Sequence, residues 1–369
     1  MRHVTNSIDY IDSLVRAEEF FARYPDRGVP YTPVLLGLDW LHGTRGLEAQ
    51  NPFFYTCGGS PRLYTMVMMG LETLLPSRSA TPDDDTTIRF IERDNYSLSG
   101  SSFGDVFDIM VVNPPSESAT LEKLNAYKAM VLLGEIRWTK PLAERLKDYV
   151  MAGGTLFLAA DQLAASPDMG WCGIAVGDKT AESRATCDQQ GKLIDTLPEG
   201  YTQLVHELVS TVGTETLFAD EERRPLVVRR AVGKGNVLVC LVPSMLDKKA
   251  EHTKVKVVSA ARETLQMLHD QSLPFKIEGD VEFCINRRST SWVITLINNR
   301  GIYKDMKDLV AKVDEGKKAL VTITSKIPVR NAVERLAGDK VELTRKNKVV
   351  KQMTITIPPG DVRIVEVSE

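Results

Sequence analysis

The spacing of apolar residues between Lys128 and Gln162 predicts a complete strand, helix and strand unit. Ala129 to Leu133 is a continuous apolar run, as expected of a strand that is buried on both faces. Behind Pro141 the apolar residues recur at helical spacing, and the Gly153–Gly154 pair ends that helix. The next apolar run, Thr155 to Ala160, predicts a second buried strand. Two buried strands joined by a helix indicate a parallel α/β sheet with flanking helices.

The same pattern extends the sheet in both directions. Val34 to Asp39 predicts a strand, whereas Phe107 to Val112 is apolar but ends in an Asn-Pro-Pro sequence, so a strand or a short helix would fit. Leu226 to Val232 and Asn236 to Val242 are β runs joined by Gly-Lys-Gly, which predicts a hairpin. The polar stretch from Ser166 to Gly200 is interpreted as irregular. Further predicted elements are helices over Ile8 to Tyr24, Leu63 to Leu75 and Val255 to Leu268, and strands over Thr87 to Glu92 and Thr202 to Leu208.

After Pro274 the period of the pattern changes from helical to alternating. Seven short segments, from VEFCINRR to DVRIVEV, alternate apolar and polar residues with turn residues between them, and only Tyr303 to Lys312 could be helical. This pattern is typical of a small antiparallel β-sandwich. We therefore expect a helical extension over residues 1–29, an α/β domain over 30–272 and a β-sandwich over 273–369.

Composition excludes several classes of partner. The net charge of −3 argues against broad binding to nucleic acid, and no stretch approaches the length of a membrane span. Acidic residues stand where a signal peptide would have its apolar core, so a cytoplasmic location is expected. The five cysteines form no CxxC pair and the histidines show no metal-ligand spacing, so we expect neither a metal site nor a cofactor.

The turn after the second strand of the opening unit lacks a nucleophile. Nucleophile-elbow enzymes place a serine or cysteine there, between small residues that let the backbone bend sharply. In this chain the turn is AADQLAAS, with no cysteine and no serine between glycines. The sequence thus predicts the scaffold of such enzymes without their usual chemistry.

Three segments carry a resemblance to a known family: YKAMVLLGEI, LKDYVMAGGTLFLA and VGKGNVLVCLVP. Residues 30–270 resemble the class I glutamine-amidotransferase-like, flavodoxin-like domains that follow the catalytic barrel of bacterial glycoside hydrolases, such as the trimerisation domain of certain β-galactosidases. The final strands, from EFCINRRSTSWVITLINNRG to ITIPPGDVRIVEV, are similar to the closing β-sandwich of these enzymes. The resemblance implies a bacterial accessory module that forms a homo-oligomer or joins a partner chain carrying a catalytic barrel, with a carbohydrate as its ligand.

Polar residues that follow three of the predicted strands support a second functional hypothesis. The carboxyl ends of parallel strands meet at one rim of a sheet, where ligands usually bind. A stand-alone hydrolase acting on a sugar or an amide could use carboxylates and a histidine there, although polar loop residues with no such role would give the same pattern. The catalytic candidates are Asp39, His42, Glu135 and Asp161. The ligand-binding candidates are Trp40, Arg137, Trp138 and Gln162.

Other motifs have weaker chemical interpretations. Cys57, which precedes two glycines, could act as a nucleophile with His42 as its base. The acidic run Asp83–Asp85 could bind calcium or form a solvated turn, and VGKG lacks the frame of a phosphate loop. Of the functions that remain, an accessory or assembly module is preferred over a stand-alone hydrolase, and a sugar-binding sensor or scaffold is a third alternative.

Overall fold

The computed structural model describes residues 15, 18–39, 107–113, 119–134, 136–197, 199–200, 202–209, 213–245, 258–298, 300–303, 312–346 and 349–369. These residues divide into two compact units. The first, called here the α/β unit, comprises described residues from Thr32 to Ser272, and the second, the sandwich unit, comprises described residues up to Tyr31 and from Leu273 to Glu369. The predicted domain limits stay predictions.

The α/β unit combines one large sheet with a few helices. Its strands are β2 Val34–Leu38, β3 Phe107–Val111, β4 Ala129–Leu132, β5 Thr155–Ala159, β6 Val176–Ser183, β7 Ala185–Cys187, β8 Leu193–Thr196, β9 Gln203–Leu208, β10 Thr214–Ala219, β11 Pro225–Val232 and β12 Gly235–Cys240. Its helices are α1 Leu121–Leu124, α2 Lys140–Ala152, α3 Ala160–Ala164 and α4 Ser259–Ser272, with 3₁₀ turns at Pro167–Cys172 and Pro243–Met245.

The sheet is mixed. Its nine strands lie in the order β3-β2-β4-β5-β12-β11-β10-β7-β8. The first five are parallel, and β11, β10, β7 and β8 each run antiparallel to the preceding strand. The prediction of a parallel sheet is therefore correct for the half around β4 and wrong for the other half, because short hairpins allow antiparallel pairing without a crossover helix.

Helix α2 has the limits that its sequence predicts. Thr139 caps its first turn by accepting a hydrogen bond from the Leu142 backbone N–H at 3.3 Å, and Gly153 ends it with a φ of 126°. Both choices follow from the chemistry of helix ends, since the first N–H groups need an acceptor and a positive φ favours glycine. One face of α2 packs into the core through Leu142, Ala143, Leu146, Tyr149 and Val150.

Two glycine turns of the α/β unit pack directly against each other. A Cβ atom on Gly154 would overlap the ring of Tyr149, and one on Gly235 would overlap the carbonyl oxygens of Gly154 and Val150. The Asn236 backbone N–H donates to the Gly154 carbonyl oxygen at 3.2 Å. The Gly153–Gly154 turn and the Gly-Lys-Gly hairpin turn therefore pack directly against each other at a single backbone contact.

The structure confirms one predicted hairpin of the α/β unit, decides one element that the sequence left open and corrects another prediction. β11 and β12 form the predicted hairpin, and Phe107–Val111 is a strand and not a short helix. The segment Ser166 to Gly200 is not irregular, since it contains a 3₁₀ turn and three strands. The longest of these, β6, pairs with β9 but is largely exposed, so it shows no apolar alternation for a sequence pattern to detect.

The described strands of the sandwich unit all pair antiparallel, as predicted. They are β1 Val29–Pro30, β13 Phe275–Glu278, β14 Glu282–Arg287, β15 Ser291–Ile297, β16 Ile302–Tyr303, β17 Lys312–Val313, β18 Ala319–Ser325, β19 Asn331–Glu334, β20 Glu342–Lys346, β21 Val349–Ile357 and β22 Val362–Ser368. One sheet has the order β1-β14-β15-β22-β19, another has the order β13-β18-β21-β20, and β16 pairs with β17. Buried and exposed residues alternate along β18 and β21, as expected of strands with one face on a core.

Some predicted elements fall on residues that the structure does not describe. The predicted helix Leu63 to Leu75 and strand Thr87 to Glu92 lie entirely outside the described residues, and of Ile8 to Tyr24 only part is described, with residues 18–23 helical. Tyr303 and Lys312 are paired strand residues, while the residues between them, which could be helical, lie outside the described ranges. No described helix is long and apolar enough to cross a membrane.

Candidate functional site

Asp39, directly after β2, joins the ends of three neighbouring strands. Its Oδ2 accepts hydrogen bonds from Asn113 Nδ2 at 2.6 Å and from the Arg137 backbone N–H at 2.8 Å. Its Oδ1 lies 3.4 Å from Arg137 Nε, and Asp39 is only 1% exposed. Because a buried carboxylate needs compensating donors, these contacts give Asp39 a structural reason for its position.

Arg137 and Trp138 occupy the loop after β4, as predicted. The Arg137 side chain is 49% exposed, and its Nε faces the Asp39 carboxylate. The indole nitrogen of Trp138 is shielded from solvent and has no hydrogen-bond partner within the described residues. The structure therefore brings Arg137 together with Asp39 at the rim, whereas ligand binding by Arg137 and Trp138 stays a prediction.

Asn113 belongs to this cluster although the sequence did not single it out. Besides Asp39 it contacts the carbonyl oxygen of Arg137, to which its Nδ2 donates at 3.1 Å. The available signal was its place directly after the apolar run of β3, but the two prolines that follow left the type of that element open. A firm assignment of β3 would have placed Asn113 on the same rim as Asp39.

Gln162 holds the turn after β5 in place. Its Oε1 accepts from the Ala159 backbone N–H at 2.8 Å, and its Nε2 donates to the carbonyl oxygens of Leu132 at 3.1 Å and Gly134 at 2.7 Å. Gln162 is 4% exposed, and both of its amide hydrogens are used in these bonds. Its observed role is therefore to tie the end of β5 to the end of β4, and ligand binding by Gln162 stays a prediction.

The other candidates are only partly described. Asp161 lies half-buried in the first turn of α3, after β5, and β4 separates β5 from β2 in the sheet. With neighbouring strands about 4.8 Å apart, the ends of β2 and β5 are about 10 Å from each other. The remaining candidates, Trp40, His42 and Glu135, lie outside the described residues, as do Cys57 and Asp83–Asp85.

A buried thiol lies at the same rim. Cys240 is the last residue of β12, the neighbour of β5, and is 0% exposed. Burial, together with the charge of Asp161, raises the pKa of the Cys240 thiol to about 12. Since the thiolate is the reactive form of cysteine, Cys240 is unsuited to nucleophilic chemistry.

We expect Cys240 to resist alkylation in the folded protein. With a pKa of about 12, only about one thiol in ten thousand is ionised at pH 8. The measurement is treatment of the native chain with iodoacetamide, followed by digestion and mass spectrometry. Partly exposed Cys284 serves as the control and should react first. Equal rates for the two cysteines in the native chain would contradict the expected burial of Cys240.

Within the described ranges, no three histidine, cysteine, aspartate or glutamate side chains lie close enough together to hold a metal ion. The VGKG sequence is the β11–β12 hairpin turn and opens no helix. The described rim is thus a small polar cluster built from Asp39, Asn113 and Arg137, next to a turn without a nucleophile.

No protein-family model matches this chain, and no curated protein sequence matches it either. Similar solved structures include α-L-fucosidase isoenzyme 2 from Paenibacillus thiaminolyticus, with a TM-score of 0.55, 13% identity, and coverage of 95% of this chain and 51% of the fucosidase. A β-galactosidase from Bacillus circulans sp. alkalophilus gives a TM-score of 0.47 and 12% identity, with 95% of this chain and 43% of that chain covered. A β-galactosidase from Halorubrum lacusprofundi gives a TM-score of 0.46 and 16% identity, with 97% of this chain and 42% of the β-galactosidase covered.

The chain spans about half the length of the fucosidase and less than half of these β-galactosidases. At these identities the similarity concerns the fold alone. It shows that the fold of this chain, an α/β unit with a mixed sheet followed by antiparallel sheets, resembles part of an α-L-fucosidase.

Proposed function

We propose that this chain is a noncatalytic accessory module of a carbohydrate-active system. In this proposal its α/β unit is a flavodoxin-like, amidotransferase-like domain that has lost the nucleophile, and it forms homo-oligomer contacts or joins a partner chain that carries a catalytic barrel. The fold shared with about half of a fucosidase supports the carbohydrate setting.

The observation that carries the proposal is the burial and hydrogen bonding of the Asp39 carboxylate. A general acid or base must come within hydrogen-bond reach of its substrate. Asp39 is instead almost fully buried and accepts hydrogen bonds from Asn113 and Arg137. The turn after β5 supports the same conclusion, because Ala159 and Ala160 stand there and Gln162 bonds to the backbone.

The competing function is a stand-alone hydrolase at the same rim. It is favoured by the convergence of Asp39, Asn113 and Arg137 from three neighbouring strands and by the exposed half of the Arg137 side chain. A pair of carboxylates about 10 Å apart at the ends of β2 and β5 would be near the separation that inverting glycosidases use. Asp39 and Asp161 would be that pair.

We expect the purified chain to hydrolyse neither chromogenic β-galactosides and α-L-fucosides nor L-glutamine above the buffer rate. Asp39→Asn should leave this baseline unchanged, with exposed Asp178→Asn as the matched control and circular dichroism as the check on folding. Light scattering on the same sample should show an oligomer. Turnover that falls about a hundredfold or more in Asp39→Asn but not in Asp178→Asn would overturn the proposal in favour of the hydrolase.

A further inference from the structure

A groove of about 550 Å³ opens on the sandwich unit where β20 leaves β21. β20 starts at Glu342, which pairs with Thr354, so the last part of β21, from Ile355 to Ile357, pairs only with β18. The chain before β20 lines the other side of the groove through Asp339 and Lys340. Its volume lies within the range of about 300–1,000 Å³ that is usual for small-molecule sites.

The side chains that line the groove combine acceptors, donors and an apolar surface. The carboxylate of Glu342 accepts hydrogen bonds, the ammonium of Lys340 donates them, and the hydroxyls of Thr354 and Thr356 can do both. Leu320, which is 64% exposed, adds an aliphatic patch. Asp339 is paired with Arg363, and the charges of Glu342 and Lys340 balance, so the groove suits a neutral ligand with many hydroxyl groups better than an anion or a cation.

Asp339, the second carboxylate of the groove, is held in a fixed position. Arg363, whose side chain is 6% exposed, donates from Nε to Asp339 Oδ2 at 2.6 Å and lies 2.7 Å from Asp361 Oδ2. The Asp339 backbone N–H donates to Glu334 Oε2 at 3.3 Å. Asp339 therefore offers its remaining lone pairs from a preset geometry, which lowers the entropic cost of binding a ligand.

We propose that this groove is a noncatalytic binding site for a neutral oligosaccharide. Neighbouring hydroxyls of a sugar match the mixed acceptors and donors of Asp339, Glu342, Lys340 and Thr356, and the C–H face of its ring matches Leu320. The choice of a sugar over other neutral polyols rests on the proposed function, in which the chain serves a carbohydrate-active system. The groove would then hold a glycan on the sandwich unit without taking part in a catalytic step.

Titration calorimetry on the full chain tests the proposal with maltotriose, cellotriose and galactotriose at up to about 10 mM, which detects millimolar affinity. At least one of these should bind. Glu342→Gln should weaken that binding about tenfold, because it removes a charge-assisted hydrogen bond, and Thr356→Val should weaken it severalfold. The matched controls, Glu278→Gln and Thr324→Val, lie on the same sheet outside the lining of the groove and should change the affinity less than about twofold.

Three results would overturn the proposal: no binding by any of the three sugars, binding of trigalacturonic acid alone, or equal affinity in Glu342→Gln and wild type. Thermal melting of each variant shows whether a lost signal reflects unfolding. The test is independent of the rim, since Asp39→Asn should leave sugar binding unchanged. Hydrolysis by the chain would contradict only the proposed accessory function, and failure of sugar binding would contradict only the proposed binding site in the groove.

Discussion

Truncating Glu334 to alanine is expected to destabilise the sandwich unit by about 3–5 kcal/mol. Glu334 ends β19 and is 4% exposed. Its carboxylate accepts five backbone hydrogen bonds, at 2.6 to 3.3 Å, four of them from the chain that follows it. The donors are the N–H groups of Leu336, Ala337, Gly338, Asp339 and Ile364.

The size of this effect follows from the cost of leaving buried N–H groups without an acceptor, about 1–3 kcal/mol each. Water that enters the loop would recover part of the sum, so the expected total lies well below five such penalties. Glu334→Gln keeps one acceptor oxygen, but its NH₂ group would face backbone N–H groups, which are also donors. We expect this substitution to lower the free energy of unfolding by about 2 kcal/mol.

The measurement is urea unfolding of the full chain. Because the two units can unfold separately, hydrogen exchange of the peptide over residues 331–340 then shows whether the lost stability belongs to the sandwich unit. Glu278→Ala is the control. Glu278 is half-exposed and bonds Lys276 at 2.7 Å, so its loss should cost less than about 0.5 kcal/mol. Equal stabilities for the Glu334 and Glu278 variants would show that the five-bond cluster does not stabilise the unit.

The sequence contains a signal for Glu334 that the apolar pattern alone does not use. Along β19, Ala332 and Glu334 lie on the same buried face, while Val333 is partly exposed. A charged residue on the buried face of a strand indicates local hydrogen bonds, since an uncompensated buried charge is too costly. Which donors would supply them was not predictable, because they come from the loop and from β22.

The α/β unit shows where prediction from the sequence succeeds. β4, α2 and β5 follow from apolar spacing and helix-end residues, which are local properties of the chain. The exposed strand β6 and the strands β7 and β10 escaped prediction, because β6 pairs with β9 and β7 pairs with β10, and both pairings join segments that are far apart in the chain.

The candidate site follows the same division. Asp39 and Arg137 were predicted to share a rim and do contact each other, since strand ends are readable from the sequence. Two further contacts depend on how closely the loops approach each other, which the sequence pattern does not specify: Asn113 completes this cluster, and Gln162 bonds the backbone through its amide. The groove beside Glu342 depends on where β20 stops pairing with β21, which is a matter of register.

The contact between the two glycine turns leads to the second large effect. We expect Gly235→Ala to destabilise the α/β unit by about 3 kcal/mol. The new Cβ would overlap two carbonyl oxygens, those of Gly154 and Val150, and a backbone cannot move aside as a flexible side chain can. β12 would have to shift against β5, its parallel neighbour in the centre of the sheet. The measurement is the free energy of unfolding in urea.

A matched substitution and a second-site variant make this expectation specific. Gly170→Ala meets no atom within 4 Å and should change stability by less than about 0.5 kcal/mol. The new Cβ of Gly154→Ala would overlap the Tyr149 ring, so adding Tyr149→Leu should recover part of the stability that Gly154→Ala loses. Adding Tyr149→Leu to Gly235→Ala should instead destabilise the unit further. Recovery of both variants by Tyr149→Leu would mean that the ring, and not the backbone, limits the approach at Gly235. Recovery of Gly154→Ala alone identifies the backbone contact as the reason that the hairpin begins its second strand with glycine.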